Sequence, residues 1–345
     1  PRNPTEEKLC SLWADVLGLD MVGVHDEFLY LGGDSILATL LISRMREAFH
    51  TDMTLLTFFE EASTVERMSK WLGTAKETCV AGPIPLPPAE REQGLPLSFS
   101  QERQWFIQQI DPKNCAYNSS VNLRLVGKLD IGALEKTLNE IVRRHEILRT
   151  RLILSNGSPV QKVEKTASVP IVQIDVTTLP DGERESRAIE EIIRRARTPF
   201  DLSRDLMLRS VLVKLDEEMH ILALHIHHAA FDGWSWNILY SELTELYAAF
   251  SEGKPSPLPE LPIQYGDYAQ WQRECLEQPA VQKQIPYWER KLAGRLPSLD
   301  LPADYVRPAR QSYEGSHFPI LIEQNLTSSL KSLCKETGCT MFMLL

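Results

Sequence analysis

Two short stretches of the 345-residue chain carry residue types and spacings that could do chemistry. The first, Leu31-Gly32-Gly33-Asp34-Ser35-Ile36, sets a hydroxyl behind two glycines and ahead of an apolar run at helical spacing. Glycines allow the backbone to turn with positive φ, and serine is a favoured helix cap, so Ser35 taken alone reads as an N-cap. No G-x-S-x-G elbow surrounds it, which argues against a hydrolase nucleophile. The second is His225-Ile226-His227-His228-Ala229-Ala230-Phe231-Asp232-Gly233-Trp234-Ser235. Three readings compete for it. The histidines could fill and hydrogen-bond a sheet end. His225 and His227, two apart on one strand face, could begin a zinc site, although no clear third ligand follows. Or an imidazole could act in acid–base catalysis near neutrality.

The surrounding pattern says which elements would place these groups. As a strand, Leu222, Leu224, Ile226 and His228 share one face and Ala223, His225 and His227 the other, provided the strand reaches His228. Asp232-Gly233 is a turn signal, and Ser235 is a suitable N-cap for a helix built on Ile238, Leu239, Leu243, Leu246 and Tyr247. Upstream, Val121–Val126 and Ile171–Ile174 read as strands, Ile131–His145 and Glu185–Arg197 as helices, and Met207–Lys214 with His220–His227 as a hairpin about Asp216-Glu217-Glu218. Ahead of Ser35, Leu9, Leu12, Trp13, Val16 and Leu17 predict a helix over residues 5–17 started by Thr5. Behind it come a helix from Ser35, a short one near 54–59, and a last one on Val65, Met68 and Leu72 capped by Ser63 or Thr64. The first 75 residues therefore form a small all-helical unit. Pro83, Pro85, Pro87, Pro88 and Pro96 mark residues 76–95 as an extended linker, and 96–345 as a mixed α/β region.

Composition narrows the function. Charged residues make up 24% of the chain and hydrophobic ones 43%, which excludes general disorder, and the net charge of −10 gives no basic field for nucleic acid. The helical unit holds six basic and twelve acidic residues, suited to docking on basic partner surfaces or simply to solubility. Six scattered cysteines suggest neither a disulfide framework nor a zinc knuckle. No apolar run approaches a membrane span, and a cytoplasmic setting is expected.

The double glycine, Asp34 and Ser35 in an acidic four-helix unit resemble the peptidyl carrier (thiolation) domains of nonribosomal peptide synthetases. The resemblance implies 4′-phosphopantetheine esterified to Ser35, with Asp34 helping a phosphopantetheinyl transferase and its magnesium ion to engage. A phosphodiester at a helix N-terminus would gain from the exposed N–H groups and the dipole. His227-His228-x-x-x-Asp232-Gly233 has the form of the HHxxxDG signature of condensation domains, which share the chloramphenicol acetyltransferase fold. Ser98-Phe99-Ser100-Gln101-Glu102-Arg103-Gln104-Trp105 is similar to that family's first motif, departing at Ser100 and Gln104. Arg144-His145-Glu146-Ile147-Leu148-Arg149-Thr150 is similar to the second and Tyr265-Gly266-Asp267-Tyr268 to the fourth.

What the resemblance implies is a donor thioester on the carrier attacked by the amine of a downstream acceptor carrier's substrate, an upstream adenylation domain having loaded the donor. His228 is then the functional histidine, His227 its support, and Asp232 a structural group paired in an internal ion pair, with Arg149 the candidate partner. Gly233 either admits backbone and substrate to close approach, its N–H near an oxyanion, or is plain turn geometry. The opening at Leu97-Ser98-Phe99 and the stretch 111–117 are most similar to condensation domains taking an L-configured donor. A strand at Phe318–Ile322 and an apolar helix at the end of the chain would begin a second lobe, most of which is expected to be missing, leaving a truncated chain unable to condense alone. Two other classes compete: a coenzyme-A-dependent acyltransferase, which needs no carrier unit, and a non-catalytic docking module.

Overall fold

The structure, a computed structural model, describes residues 1–33, 35–49, 51, 53–74, 88–91, 94–297, 302, 304–306, 315, 318–337, 339 and 341–345. It divides into two compact units, Pro1–Pro85 with Ser316–Leu345, and Leu86–Gly315. Asp34 and most of the linker, 76–87 with 92 and 93, lie outside the described residues.

The first unit is built on helices α1 (Pro4–Leu17), α2 (Ser35–Phe49), α3 (Leu55–Glu61) and α4 (Val65–Thr74). Helix α1 starts one residue before the expected Thr5, because Asn3 accepts the Glu6 N–H and Pro4 occupies the first turn, where its missing N–H costs nothing. Gly18, at φ 66°, ends it. Of the two candidate caps for α4, Thr64 Oγ1 accepts the Arg67 N–H at 3.2 Å. The core is aromatic. Trp13 meets Phe28 edge to face at 5.0 Å between ring centroids, and Phe28 meets Phe58 likewise at 5.0 Å, with Leu9, Leu41, Met45 and Met68 filling the gaps.

The second unit opens with β1 (Leu95–Pro96) and α5 (Phe99–Ile110), then β2 (Asn118–Val126), α6 (Ile131–Arg144), a 3-10 turn at Glu146–Arg149, β3 (Thr150–Ser155), β4 (Ser158–Val163) and β5 (Ile171–Asp175). It continues with α7 (Asp181–Ala196), β6 (Leu208–Asp216), β7 (Met219–His227), α8 (Ser235–Ser251), α9 (Tyr265–Leu276), α10 (Pro279–Gln282) and α11 (Ile285–Lys291). The main sheet runs β2-β7-β6-β5, with a parallel β5–α7–β6 crossover and antiparallel pairs elsewhere, and a small sheet runs β1-β4-β3. Strand alternation works as read. Leu222, Leu224 and Ile226 pack with α6 and α8, while Ile221 and Ala223 pack with α7.

Helices α12 (Gln324–Thr337) and α13 (Met341–Leu344) close the chain. The strand expected at Phe318–Ile322 does not form. Among the described residues nothing pairs with it, and Phe318, Ile320 and Leu321 stay 80–91% exposed. A strand without a ladder partner leaves its backbone groups to water.

The end of the expected linker is part of the second unit. Leu95–Pro96 pairs with β4, and a Cβ on Gly266 would lie 2.4 Å from Leu95 Cδ1, so a side chain there would have to displace the buried Leu95. Arg91 is clamped on the same helix. Its guanidinium meets both Asp267 oxygens at 2.5 and 3.1 Å and Glu146 Oε2 at 3.0 Å. The Ala89 and Gln264 N–H groups also donate to Asp267, each at 2.7 Å. Burial works to raise the Asp267 pKa, but these donors outweigh it and hold the carboxyl below its ordinary range. Arg91→Met leaves that carboxylate buried without its cation and is expected to cost the second unit about 3 kcal/mol. Urea unfolding of the two proteins checks this, and equal midpoints would refute it.

Candidate functional site

The carrier-side residue, Ser35, is the first residue of the 15-residue helix α2. The loop before it is shaped by Phe28, whose carbonyl accepts the Gly33 N–H at 3.0 Å. The two glycines differ in purpose. Only Gly32 has positive φ, 94°, while a Cβ on Gly33 would lie 2.3 Å from the Phe28 ring. Gly33 therefore provides space, not left-handed backbone as expected, and it lets the loop close on the aromatic core directly before α2. The start of this helix fits a phosphodiester, whose charge the first-turn N–H groups favour.

The histidine loop belongs to the other unit. Strand β7 stops at His227, one residue short of the expected row, because the chain turns there. The Ala229 N–H donates to His227 Nδ1 at 3.0 Å and the Ala230 N–H to the His227 carbonyl at 2.9 Å. The His228 N–H donates to the Tyr117 carbonyl at 2.8 Å. His227 is buried against Phe200, ring centroids 5.7 Å apart. His228 is exposed, and its ring makes no hydrogen bond among the described residues. The adjacent histidines thus divide into an internal one that shapes the turn and an external one that is free to meet a ligand.

Burial, with the neighbouring His228 and Arg209 adding to it, lowers His227 to a pKa of about 4. Burial, with Arg209 and Arg195, likewise lowers His225 to about 4. His225 Nδ1 lies 3.1 Å from Ser120 Oγ across the β2–β7 pair. Among the described residues no group of three His, Cys, Asp or Glu side chains could hold a metal ion.

Asp232 does not pair with Arg149. Arg149 is taken up by the Glu164 carbonyl at 2.6 Å, the Arg143 carbonyl at 3.2 Å and Glu146 at 3.8 Å. Instead Asp232 Oδ1 accepts from the Ser235 N–H at 3.0 Å and Oγ at 2.7 Å. Trp234 holds the N-cap position without a side-chain bond, and Asp232, two residues earlier, supplies the acceptor that caps the first N–H of α8, so Ser235 is the first helical residue and not the cap its type suggests. A Cβ on Gly233 would meet nothing within 4 Å, so packing within the chain does not require glycine there. His227, His228, Asp232 and Gly233 thus share one loop. Beside it, Ala230, Phe231, Ser235, Tyr265 and Tyr268 line a cavity of about 330 Å³.

The other motifs hold this loop's scaffold. Arg144 Nε lies 2.9 Å and His145 Nε2 2.7 Å from the two carboxylate oxygens of Glu242 on α8, tying α6 to the helix that Asp232 caps. Tyr265 Oη bonds Ser98 Oγ at 2.8 Å, joining α9 to α5, and burial raises its pKa despite that bond. Sequence reasoning missed Tyr117 and Arg91. Tyr117 matters through the β2–β7 register, for which a single strand carries no signal.

Residues 91–345 match the family model for the condensation domain, and residues 7–72 match that for the phosphopantetheine attachment site. The chain belongs to the condensation-domain family of nonribosomal peptide synthetases, with a phosphopantetheine-carrying domain in front. A linear gramicidin synthase of Brevibacillus parabrevis is 41% identical over 346 residues, covering 100% of this chain and 7% of that protein. Malpibaldin synthetase of Mortierella alpina is 36% identical, covering 99% of this chain and 6% of the relative. The chain thus spans a small part of these relatives. Among solved structures, the complex of the X-domain and OxyB from teicoplanin biosynthesis is similar at a TM-score of 0.65, with 28% identity over 75% of this chain and 56% of that one. The starter condensation domain of rhizomide synthetase shares the fold at a TM-score of 0.53 and 18% identity, over 58% of this chain and 48% of that one. Condensation domains form peptide bonds, and attachment domains bear covalent 4′-phosphopantetheine. Such domains work with adenylation and further carrier domains. Among the described residues no helix is long and apolar enough to cross a membrane.

The depressed histidine pKa values have a stability consequence. The unfolded chain binds protons on these rings below about 6.5, the folded one only below about 4. Stability is therefore fully present above pH 6.5 and lost as pH falls towards 4, by up to about 3 kcal/mol per histidine. Calorimetry of the chain across that window is expected to show the second unit's Tm falling, with a shallower fall in His227→Asn, whose Oδ1 can replace Nδ1 as acceptor. An unaltered slope in the variant would count against the assignment.

Proposed function

We propose that this chain presents an aminoacyl or peptidyl thioester on Ser35 and contributes His228 to the condensation that joins it to an acceptor amine. The observation that carries the reading is the division of labour at β7. His227 is internal and neutral, held by the Ala229 N–H, and His228 projects from the turn it makes. When bound, 4′-phosphopantetheine supplies a terminal thiol whose acyl thioester is already activated. The rest is the work of side chains and backbone. His228 meets the acceptor amine and manages its proton, imidazole being suited to proton transfer near neutrality. Asp232 caps α8 and fixes the far side of the loop, and Gly233 leaves open space beside the reacting groups. In balance, the amine nitrogen forms the new C–N bond, the C–S bond breaks, and the amine proton passes to the released thiolate.

The proposed partners are a phosphopantetheinyl transferase using coenzyme A, with Asp34 assisting its engagement, an upstream adenylation domain that loads the arm, and a downstream acceptor carrier. A cytoplasmic setting, where coenzyme A is available, suits them. The acidic balance of the helical unit supports docking on basic partner faces.

Two measurements test this. Intact mass after incubation with a phosphopantetheinyl transferase and coenzyme A is expected to rise by one phosphopantetheine and to stay unchanged in Ser35→Ala. A folded wild-type chain that gains no mass would refute the attachment. In the synthetase containing this chain, His228→Ala is expected to slow condensation by about 100-fold or more while Ser35 still loads. An undiminished rate would remove His228 from the chemistry.

A further inference from the structure

Helix α5 turns two glutamines, one helical turn apart, towards the histidine loop. Gln101 and Gln104 are 1% and 4% exposed. Gln101 Nε2 lies 3.4 Å from the Ala229 carbonyl oxygen, and Gln104 Nε2 lies 3.4 Å from that of His228. With the Tyr117 carbonyl accepting the His228 N–H at 2.8 Å, both backbone polar groups of His228 are engaged by neighbouring elements. Its imidazole alone faces outward. The two glutamines differ in a telling respect. Gln101 is satisfied at both ends, its Oε1 accepting the Ser98 N–H at 3.1 Å. Gln104 Oε1 is buried with no hydrogen-bond partner among the described residues. A buried acceptor left unpaired is a net cost to stability, and an apolar side chain of the same shape would remove that cost, which offsets the loss of the long 3.4 Å bond to the His228 carbonyl. Burying a whole amide to reach one carbonyl is therefore unfavourable for folding and useful only for what the carbonyl's peptide carries.

We infer that Gln104 is a positioning residue that fixes the peptide of His228, and through it the direction of the exposed imidazole. This rests on the reading of His228 as the group that meets the acceptor amine. The restraint acts close to the ring, since the peptide carbonyl and the side chain leave the same residue, and a small displacement of a reacting group lowers rate steeply.

The test is Gln104→Met, which keeps the length of the side chain and removes the amide. Three readouts are compared: Tm of the chain, hydrogen exchange at the Ala229 and Ala230 amides, and turnover in the synthetase containing the chain, with His228→Ala as control. The expected result is an unchanged or higher Tm, faster exchange at both amides, and a roughly tenfold lower kcat with KM for the acceptor unaltered. A merely structural role would lower Tm and activity together. Unchanged exchange, or a fall in turnover that tracks a fall in Tm, would overturn the inference. Full turnover in His228→Ala would instead overturn the reading of the histidine and any catalytic consequence of Gln104, while the exchange measurement would still decide whether Gln104 restrains the loop.

Discussion

The geometry of the histidine loop depends on where strand β7 stops. Its residues are buried on both faces, by α6 and α8 on one side and α7 on the other. A strand in that position carries its side chains inward for as long as the ladder continues, so a histidine can reach solvent only where the ladder ends. The ending is made by His227 itself, whose Nδ1 takes the Ala229 N–H that would otherwise be left unpaired at the turn. This use of Nδ1 as acceptor requires a neutral ring, and burial of the ring keeps it so. One side chain thus closes the sheet and sets the next residue outward.

Much of this is legible in the sequence, because alternation along a doubly buried strand leaves a clear apolar record. Leu222, Leu224 and Ile226 against Ile221 and Ala223 separate as a period of two requires. The stopping point is not legible, since extending the row to His228 is equally consistent with alternation, and what breaks it are the bonds from the Ala229 and Ala230 N–H groups back to His227. The Asp232 interaction is hidden for a related reason. An aspartate three residues before a serine at a helix start can cap the helix or seek a distant cation, and spacing does not distinguish these until Arg149 is seen to be spent on carbonyls. At Gly33 the residue type is informative but the cause is not, because the constraint is the Phe28 ring lying against it in space. The stretch Phe318–Ile322 has residues suited to a strand, yet strand formation depends on a partner that local pattern does not report.

The motifs that look like separate sites are parts of one mechanical assembly. Glu146 and Asp267, from the second and fourth motifs, grip Arg91. Arg144 and His145 grip Glu242 on α8, while Ser98 of the first motif holds Tyr265. The exposed histidine lies on the HHxxxDG loop, and the ionic groups of the other motifs are spent on holding helices. Those contacts are not an efficient source of stability, since taking charges out of water offsets most of their attraction. What they provide is direction. Carboxylates that accept two or more donors fix the angle between elements in a way that apolar packing leaves looser.

The Arg91 clamp does the same at the N-terminal edge of the second unit. With Ala89 and Arg91 bonded to Asp267, and Leu95–Pro96 in the small sheet, the anchored part of the connector already begins by Ala89. The anchoring carboxylate is also the one that starts α9, whose Tyr265 borders the cavity beside the histidine loop. The place where Ala89 and Arg91 are held and the start of that cavity wall are consequently set by one buried group, Asp267. A change there alters both at once, so the fourth motif serves as a structural joint of the second unit.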